Sequence, residues 1–369
     1  MTMTSWASRT IMLALAALTV ALSGCGSDDN IRSSGATASG RAYCGGKNAL
    51  TAEGATSQQN AIALFNQTWG TECPGKNLSY NPTGSGAGRG QFIAGHVDFA
   101  GSESPLSEVQ AVRAQARCGG HPAWHLPLVY GPLVIAYHLP GVEHLVLTGD
   151  VLAQIFSGAI TQWDDPALAA LNPEVALPAM AVEPVYRSDS SGTTYEFQQY
   201  LSIVAPTSWT KGQGSEFQGG VGEGAQKSFG VAQAVQSTPG AIGYVEKGIV
   251  DQAQLRLALI DSGAGAVAAS VEAAALSIES VRFVDDASND MRLDLQSLYG
   301  AVQPGAYPLV LVTYEIVCSA GYDAETAAAV KSFLQVAVTS GQDPLPSAGY
   351  VRLSERLRRR LSTAIEAIG

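Results

Sequence analysis

The sequence has little charge overall and no excess of basic residues. Lys and Arg number 21 against 32 Asp and Glu, and the formal net charge is −11. Proteins that bind nucleic acid are normally basic, so this composition argues against that class and we expect no nucleic-acid partner. The hydrophobic content of 46% indicates a well-buried globular protein.

Several motifs that identify common sites are missing. No Cys-x-x-Cys pair or close Cys/His spacing occurs, so we expect no metal site, and no cofactor is indicated. No Gly-x-Ser-x-Gly motif is present to mark a hydrolase nucleophile. The glycine-rich segment 84–90 lacks the last glycine of a dinucleotide-binding motif and the Gly-Lys-Ser/Thr ending of a P-loop.

Only one run of apolar residues resembles a membrane or targeting segment, and it spans residues 11–22. Twelve residues are too few to cross a bilayer, so residues 1–24 are predicted to be a signal peptide. The run ends in Leu-Ser-Gly-Cys, which resembles a bacterial lipobox with Cys25 as the lipidated residue. An ordinary cleavage site with a chance cysteine is the alternative. The polar residues 25–45 then form a flexible tether, which predicts an extracytoplasmic lipoprotein anchored to the outer face of the cell membrane.

Besides Cys25, four cysteines remain: Cys44, Cys73, Cys118 and Cys318. An even number outside the cytoplasm favours two disulfides, for which three pairings are possible. Four buried free thiols are the alternative.

The chain after the tether is longer than one hydrophobic core usually serves, so two domains are expected. Apolar strand-like runs alternate with helical ones, which predicts an α/β fold with mainly parallel sheets covered by helices. The run 125–139 is predicted to be a long strand broken at Gly131-Pro132, and Val97 to Phe99 a short one.

Two stretches of small polar residues are candidate anion sites. Thr56 and Ser57 precede a helix predicted to begin near Gln59, where they serve as helix caps or as donors to an anion at the helix N-terminus. The glycine-rich segment 84–90 is predicted to be a loop whose backbone N–H groups can approach a small anion closely.

The most informative stretch is RSDSSGTT at 187–194, between a predicted strand and a predicted helix. Arg187 offers a guanidinium fork that matches two oxygens of a tetrahedral anion, and Asp189 can orient it. A surface loop with a local Arg–Asp ion pair is the alternative.

The order and spacing of these motifs resemble the phosphate-binding proteins of the high-affinity phosphate ABC importer, the Pst system. The resembling segments are Thr56-Ser57, 84–88, DFAGSESPL at 98–106, WDD at 163–165, RSDSSGTT at 187–194, PGAIGYVE at 239–246 and YEIVC at 314–318. The resemblance spans nearly the whole chain after the tether and is closest to the lipoprotein members of that family.

The resemblance implies a two-lobed periplasmic-binding-protein fold of type II, joined by a two-segment hinge. Lobe I would contain residues 46–130 and 258–369, and lobe II residues 131–257. The protein would bind inorganic phosphate between the lobes as a monomer. It would then deliver the phosphate to the membrane permease subunits of an ABC importer.

The resemblance also implies the residues that bind phosphate. Arg187 would form the charged contact, with Asp189 behind it. The remaining ligands would be Thr56, Ser57, Ser85, Glu103, Ser191, Gly192 and Thr193.

Glu103 stands where the family usually has Asp, which lengthens the side chain by one methylene. An ionised carboxylate only accepts hydrogen bonds, so it can receive the proton that phosphate carries and repel sulfate, which has none. Two other functions stay open from the residues alone. One is a phosphatase-like secreted hydrolase with Ser191 as nucleophile, and the other is a binding protein for another oxyanion such as sulfate.

Overall fold

Strands and helices alternate along the chain, as the sequence predicts. The computed structural model describes residues 43–279 and 281–369. The predicted signal peptide, the predicted lipidation site Cys25 and the predicted tether up to residue 42 lie outside the described residues.

Twelve strands occur in the described part of the chain. They are β1 (Ala49–Gly54), β2 (Asn77–Asn81), β3 (Phe99–Ser102), β4 (Ala123–Tyr137), β5 (Val146–Thr148), β6 (Glu183–Arg187), β7 (Glu223–Ala225), β8 (Ala241–Glu246), β9 (Arg256–Leu257), β10 (Leu259–Asp261), β11 (Ala266–Val267) and β12 (Val310–Cys318).

Twelve α-helices and two 3₁₀ turns, Ser340–Gln342 and Leu345–Ala348, are found among the same residues. The helices are α1 (Gln59–Glu72), α2 (Ser85–Ile93), α3 (Glu108–Arg117), α4 (Gly149–Phe156), α5 (Pro166–Leu171), α6 (Gly192–Val204), α7 (Lys227–Ser237), α8 (Lys247–Ala253), α9 (Val271–Glu279), α10 (Leu295–Tyr299), α11 (Ala324–Val338) and α12 (Glu355–Glu366).

The main sheet has the strand order β2-β1-β3-β12-β4-β8-β6-β7, with β9 paired to β4. The strands β2, β1 and β3 run parallel to one another, and so do β8, β6 and β7. Between these two groups lie β12 and β4, which pair antiparallel with each other and with their outer neighbours. A second sheet contains β11, β10 and β5. The fold is therefore mixed α/β with two groups of parallel strands.

The long strand β4 belongs to both groups. Residues 123–132 pair with β12, and residues 133–137 pair with β8. All but the first two residues of β4 are buried, as expected for a strand covered on both faces. The strand is not broken at Gly131-Pro132, contrary to the sequence prediction. Pro132 pairs with Val310, and the ladder continues with the Leu133 N–H donating to the Leu309 carbonyl at 2.9 Å.

Two further sequence predictions were wrong in position. The glycine-rich segment 84–90 is not a loop, because α2 begins at Ser85 and runs through it. Strand β3 begins at Phe99, so Val97 and Asp98 precede it. The Asp98 carboxylate instead accepts from the Thr51 N–H at 2.7 Å and so ties this segment to β1.

Aromatic side chains fill the core on both sides of the β12–β4 pair. Phe333 of α11 packs edge-on against Trp69 at 5.4 Å between ring centroids and stacks on Phe99 at 5.6 Å. Beside the other parallel group, Phe197 of α6 stacks on Tyr244 of β8 at 4.4 Å. Each helical layer is thus held to its own group of strands by buried ring contacts, whose area dominates core energetics.

Two disulfides are present, so the prediction from the even cysteine count is confirmed. Cys44 is bonded to Cys73, and Cys118 is bonded to Cys318. The first joins the start of the described chain to the end of α1, and the second joins the end of α3 to the end of β12. Among the described residues, no helix has the length and apolar character needed to span a bilayer.

The two disulfides should differ in their contribution to stability. The Cys118–Cys318 bond closes a loop of 200 residues and the Cys44–Cys73 bond one of 29. Loop-closure entropy then gives about 5 and 3.5 kcal/mol respectively. Replacing both Cys118 and Cys318 with alanine should lower the free energy of unfolding more than replacing both Cys44 and Cys73. Urea unfolding checks this, and equal losses would contradict it.

Candidate functional site

All six parallel strands of the main sheet end at one place. Their carboxyl ends are followed at once by polar residues, which is where open α/β sheets usually bind ligands. The residues that these six ends bring together are Thr56 and Ser57 after β1, Ser85 after β2, Glu103 after β3, Arg187 at the end of β6, Ser228 after β7 and Glu246 at the end of β8. All of them are buried. The arrangement gathers side chains separated by up to 190 positions in the sequence.

Arg187 is the buried cation of this site, and Asp189 fixes its orientation. Its Nε and Nη2 donate to the two carboxylate oxygens of Asp189 at 2.8 and 2.5 Å. The remaining nitrogen, Nη1, faces the hydroxyls of Thr193 and Ser228, each at 3.4 Å. Burial acts to lower the pKa of Arg187, but Asp189 outweighs it and raises that pKa. The guanidinium is therefore a permanent positive charge with one edge turned toward the hydroxyls.

Asp189 is held in turn by the start of α7. Its Oδ1 also accepts from the Lys227 N–H at 2.9 Å. Burial acts to raise the pKa of Asp189, but the hydrogen bonds and charge of Arg187 outweigh it and lower the pKa. Since a buried ion pair needs such additional hydrogen bonds to offset its desolvation, the strand end at β6 and the helix start at α7 together hold the cation.

Hydroxyl groups from both groups of strands meet beside Arg187. Thr56 Oγ1 lies 2.7 Å from Ser228 Oγ, and Ser57 Oγ lies 3.3 Å from Thr313 Oγ1. The predicted capping role of Thr56 and Ser57 is not found: the residue before α1 is Gln58, and it makes no side-chain cap. The two hydroxyls are directed to the site instead.

Ser191 has a structural role at the start of α6. Its hydroxyl accepts from the Thr194 N–H at 3.2 Å as the helix cap, and its own N–H donates to the Ser215 carbonyl at 2.8 Å. Gly192 follows as the first helical residue. A side chain there would overlap Oε2 of Glu103 and lie 2.6 Å from Ser85 Oγ. Glycine is required because the Glu103 carboxylate packs directly against this backbone.

Glu103 lies between donors from the two groups of strands. Its Oε2 is hydrogen-bonded to Ser85 Oγ, and its Oε1 lies 3.3 Å from Thr193 Oγ1. Burial raises the pKa of Glu103, and the charge of Glu246 raises it further. Hydrogen bonds from Ser57 and Ser85 and the charge of Arg187 act in the opposite direction. The extra methylene of Glu relative to Asp therefore leaves the carboxyl group within reach of the other predicted site residues.

Three residues of the site were missed from the sequence. Glu246 accepts from Thr193 Oγ1 at 2.7 Å, and Ser228 faces Arg187 as described above. Arg89 of α2 is buried and donates to Ser102 Oγ at 2.9 Å, to Ser104 Oγ and to Ser215 Oγ at 3.2 Å. One sequence signal could have identified Glu246: it is a polar residue directly at the end of the buried apolar strand AIGYVE.

Two more buried carboxyl groups lie behind the site. Both oxygens of Glu196 accept from the Val312 N–H, at 3.1 and 3.0 Å, and burial raises the pKa of Glu196. Glu315 of β12 makes no hydrogen bond through either carboxylate oxygen within the described residues. Burial raises the pKa of Glu315 to about 8, although the nearby Gln58 amide acts to lower it.

The site offers many donors, one fixed cation and a few acidic acceptors. Among the residues that the structure describes, no group of three His, Cys, Asp or Glu side chains is arranged to hold a metal ion. His125 is engaged elsewhere, because its Nε2 accepts from the Leu106 N–H at 3.0 Å and its Nδ1 lies 2.6 Å from Asp290 Oδ1. This chemistry suits recognition of a small oxyanion.

The fold and this site define a binding protein of the PBP superfamily. A family model described as a PBP superfamily domain matches residues 33–340. The protein of Mycobacterium tuberculosis (strain ATCC 25618 / H37Rv) named phosphate-binding protein PstS 3 is 45% identical over 359 residues, which covers 96% of each chain. The chain belongs to the PstS phosphate-binding protein family.

Solved structures with lower identity share the fold. One is a high-affinity periplasmic phosphate-binding protein (PfluDING) bound with phosphate at pH 8.5, with a TM-score of 0.69 and 20% identity over 86% of this chain and 93% of the other. A phosphate-binding protein from Stenotrophomonas maltophilia gives a TM-score of 0.67 at 20% identity, over 86% of this chain and 94% of the other. The predicted periplasmic-binding-protein fold class is therefore confirmed.

Replacing Gly192 with alanine should destabilise the protein. The new methyl group would overlap the Glu103 carboxyl and crowd Ser85, and such overpacking costs about 1–3 kcal/mol. Thermal or urea unfolding checks the loss. Gly90→Ala is the matched control, because a side chain at Gly90 in α2 meets nothing within 4 Å. A loss no larger than the control's would show that Glu103 does not pack against this backbone.

Replacing Glu315 with glutamine should change how stability depends on pH. An unfolded glutamate ionises near pH 4.3, whereas buried Glu315 keeps its proton up to a pKa of about 8. Wild-type stability should therefore decline as pH rises between these values, because the unfolded state releases this proton first. Unfolding midpoints across that interval should decline less for Glu315→Gln. Glu366→Gln on the exposed face of α12 is the control, and parallel profiles for all three proteins would contradict the assignment.

Proposed function

We propose that this protein binds inorganic phosphate where the six parallel strands end and delivers it to a membrane ABC phosphate importer. The observation that carries the proposal is the buried Arg187 guanidinium, fixed by Asp189, with Nη1 turned toward buried hydroxyls. These hydroxyls belong to Thr193 after β6 and Ser228 after β7, and Thr56 after β1 lies 2.7 Å from Ser228 Oγ. Membership of the PstS family supports phosphate as the ligand.

Phosphate oxygens take the place of the contacts that the donors now make among themselves. The ligands are Arg187, the hydroxyls of Thr56, Ser85 and Thr193, and backbone N–H groups at the starts of α1, α2 and α6. Hydrogen bonds to charged groups contribute roughly 1.5–3 kcal/mol each. Several such bonds supply a large gross binding energy, which is reduced by the free-energy costs of ordering the side chains and closing the lobes. Ser191 contributes by capping α6, and Gly192 by admitting the Glu103 carboxyl.

Glu103 selects a ligand that carries a proton. When ionised, its carboxylate accepts the hydrogen bond of a protonated phosphate oxygen and repels an anion that has no proton to donate. Its contacts with Ser85 and Thr193 place the carboxyl among the donors that would hold the anion. Glutamate therefore serves where the family usually has aspartate.

The two groups of strands act as two lobes that close on the ligand. Lobe I comprises residues 46–130 and 258–369, and lobe II comprises residues 131–257. The change of partner along β4, from β12 to β8 after residue 132, supports one hinge crossing, and β9 pairing with β4 supports a second near residue 257. Hinge closure of this type is a common response to ligand binding.

The protein acts as a monomeric carrier and has no enzymatic activity. The hydroxyl of Ser191, the candidate nucleophile, is engaged as the cap of α6, which argues against the hydrolase alternative. A lipid on Cys25 and a tether hold the carrier at the outer face of the membrane, close to the permease subunits.

Phosphate affinity tests the proposal directly. Calorimetry on phosphate-stripped protein should give one phosphate per chain, with little competition from sulfate near neutral pH. Arg187→Ala should weaken binding about 100-fold or more, because it removes charge-assisted hydrogen bonds worth a few kcal/mol. Arg359→Ala, at a site 74% exposed on α12, is the matched control and should bind as the wild type does.

The acceptor role of Glu103 has its own variants. Glu103→Gln should reduce the preference for phosphate over sulfate, and Glu103→Asp should retain it. Thermal unfolding of each variant confirms that it is folded. The proposal is wrong if wild-type protein takes up no phosphate, or if Arg187→Ala and Arg359→Ala bind it equally well.

A further inference from the structure

We propose that Glu246 sets the protonation of Glu103 through the hydroxyl of Thr193, and so sets the pH below which the site admits anions without a proton. Glu246 is a positioning residue in this scheme. The inference rests on the proposed phosphate-binding function and assigns a specificity role to a residue outside the ligand set above.

The hydroxyl of Thr193 has three polar neighbours but only one hydrogen to donate. Its Oγ1 lies 2.7 Å from Glu246 Oε1, 3.3 Å from Glu103 Oε1 and 3.4 Å from Arg187 Nη1. A threonine hydroxyl has one hydrogen to donate and two lone pairs with which to accept. Arg187 can only donate, so it takes one lone pair. The single hydroxyl hydrogen then goes to one of the two carboxyl groups.

If that hydrogen goes to Glu246, the shorter contact, Glu103 faces the second lone pair of Thr193. Two acceptors in contact without a hydrogen between them repel each other. All three contacts are favourable together only if one of the two carboxyl groups carries a proton on its Oε1 and donates it to Thr193, while the other accepts the threonine hydrogen. In both arrangements the two carboxyl groups share one proton, and the threonine hydroxyl links them.

The other side of Glu103 is compatible with a proton on its Oε1. Ser85 Oγ accepts from the Glu103 N–H at 3.4 Å and is hydrogen-bonded to Glu103 Oε2. The serine hydrogen therefore points to Oε2, which acts as the acceptor of the carboxyl group. Oε1, on the side of Thr193, is therefore the oxygen on which Glu103 carries its proton when it is neutral.

The charges around Glu246 have the sign that this scheme requires. The ionisable groups that face it are Glu103 beyond β3, Arg187 on β6, Glu196 on α6 and Tyr350 before α12. The adjacent Lys247 is paired with Asp251 at 2.7 Å and is turned to the surface. Arg187 is shared with Asp189, and the buried Arg89 is another positive charge that acts on Glu103. Burial and the Glu246 charge raise the pKa of Glu103.

The protonation state of Glu103 decides which anions fit. Below its raised pKa, Glu103 carries a hydrogen and can donate it to an anion that has none, such as sulfate. Above that pKa it is acceptor-only and rejects sulfate. Sulfate affinity should therefore fall as pH rises through the pKa of Glu103. Removing the Glu246 charge lowers that pKa, and the fall should move to lower pH.

Glu246 itself is placed to act through Thr193 rather than on the ligand. Its Oε2 is buried and makes no hydrogen bond within the described residues, and its Oε1 is taken by Thr193. Glutamine at this position keeps the acceptor for Thr193 and removes the charge. Aspartate keeps the charge with a shorter side chain. These two variants separate the effect of charge from the effect of contact.

Sulfate is the appropriate probe because it does not titrate near neutral pH, so any pH dependence of its binding belongs to the protein. Competition of sulfate against phosphate, corrected with directly measured phosphate affinities, gives a sulfate dissociation constant at each pH. Each profile is compared with its own low-pH limit, since removing a charge also changes the general attraction for anions. Wild type should show a midpoint at the pKa of Glu103.

Glu246→Gln should move this midpoint down by about 1–3 pH units, the usual effect of one nearby charge. Glu246→Asp should stay closer to wild type, Glu366→Gln should match wild type, and Glu103→Gln should show no midpoint. An NMR titration of the Glu103 carboxyl carbon in wild type and Glu246→Gln measures the change in the Glu103 pKa without any ligand. It can be used if sulfate affinity is low.

Coinciding profiles for wild type and Glu246→Gln, with phosphate still bound, would overturn the role of Glu246 and leave the phosphate-binding proposal intact. Equal shifts in Glu246→Gln and Glu246→Asp would assign the effect to contact rather than charge, which also contradicts the inference. Absence of phosphate binding by wild type would instead contradict the proposed function.

Discussion

The burial of the Arg187 charge is the constraint on which the site depends. A guanidinium removed from water is costly unless its hydrogens are met by acceptors and its charge by an anion. Asp189 meets two of its nitrogens, and the hydroxyls of Thr193 and Ser228 meet the third. One edge is thereby left among neutral groups that can exchange their partner for an oxyanion. The cation is held firmly without being fully neutralised by contact.

The sheet explains how so many polar groups reach one place without disrupting the core. Within each group of three parallel strands the carboxyl ends lie together, and the two groups run in opposite directions, so the first polar residues after both sets of ends meet at the site. The antiparallel β12–β4 pair between them joins the two groups in a single sheet. The apolar strands and their helices bury the core, and chemistry is confined to the strand ends. Buried acids such as Glu103 and Glu246 are tolerated because hydroxyl groups and the Arg187 charge offset their charge.

Much of this could be predicted from the sequence, and the failures have physical causes. Arg187, Asp189 and Thr193 lie within seven residues, so local pattern was enough to place them together. Glu246 and Ser228 were missed because only the strand order brings them to Arg187. The glycine-rich segment forms a helix because tertiary contacts override the low helix propensity of glycine: the Gly86 N–H donates to the Ser190 carbonyl at 3.0 Å.

The central claim is that buried donors around Arg187 exchange their mutual contacts for phosphate oxygens. A crystal structure of the protein grown with phosphate tests it most directly. The account predicts one tetrahedral anion within hydrogen-bond distance of Arg187 Nη1, Ser85 Oγ and Thr193 Oγ1, with the Glu103 carboxyl on its protonated oxygen. An anion bound elsewhere, with Glu103 still on Ser85 and Thr193, would contradict it.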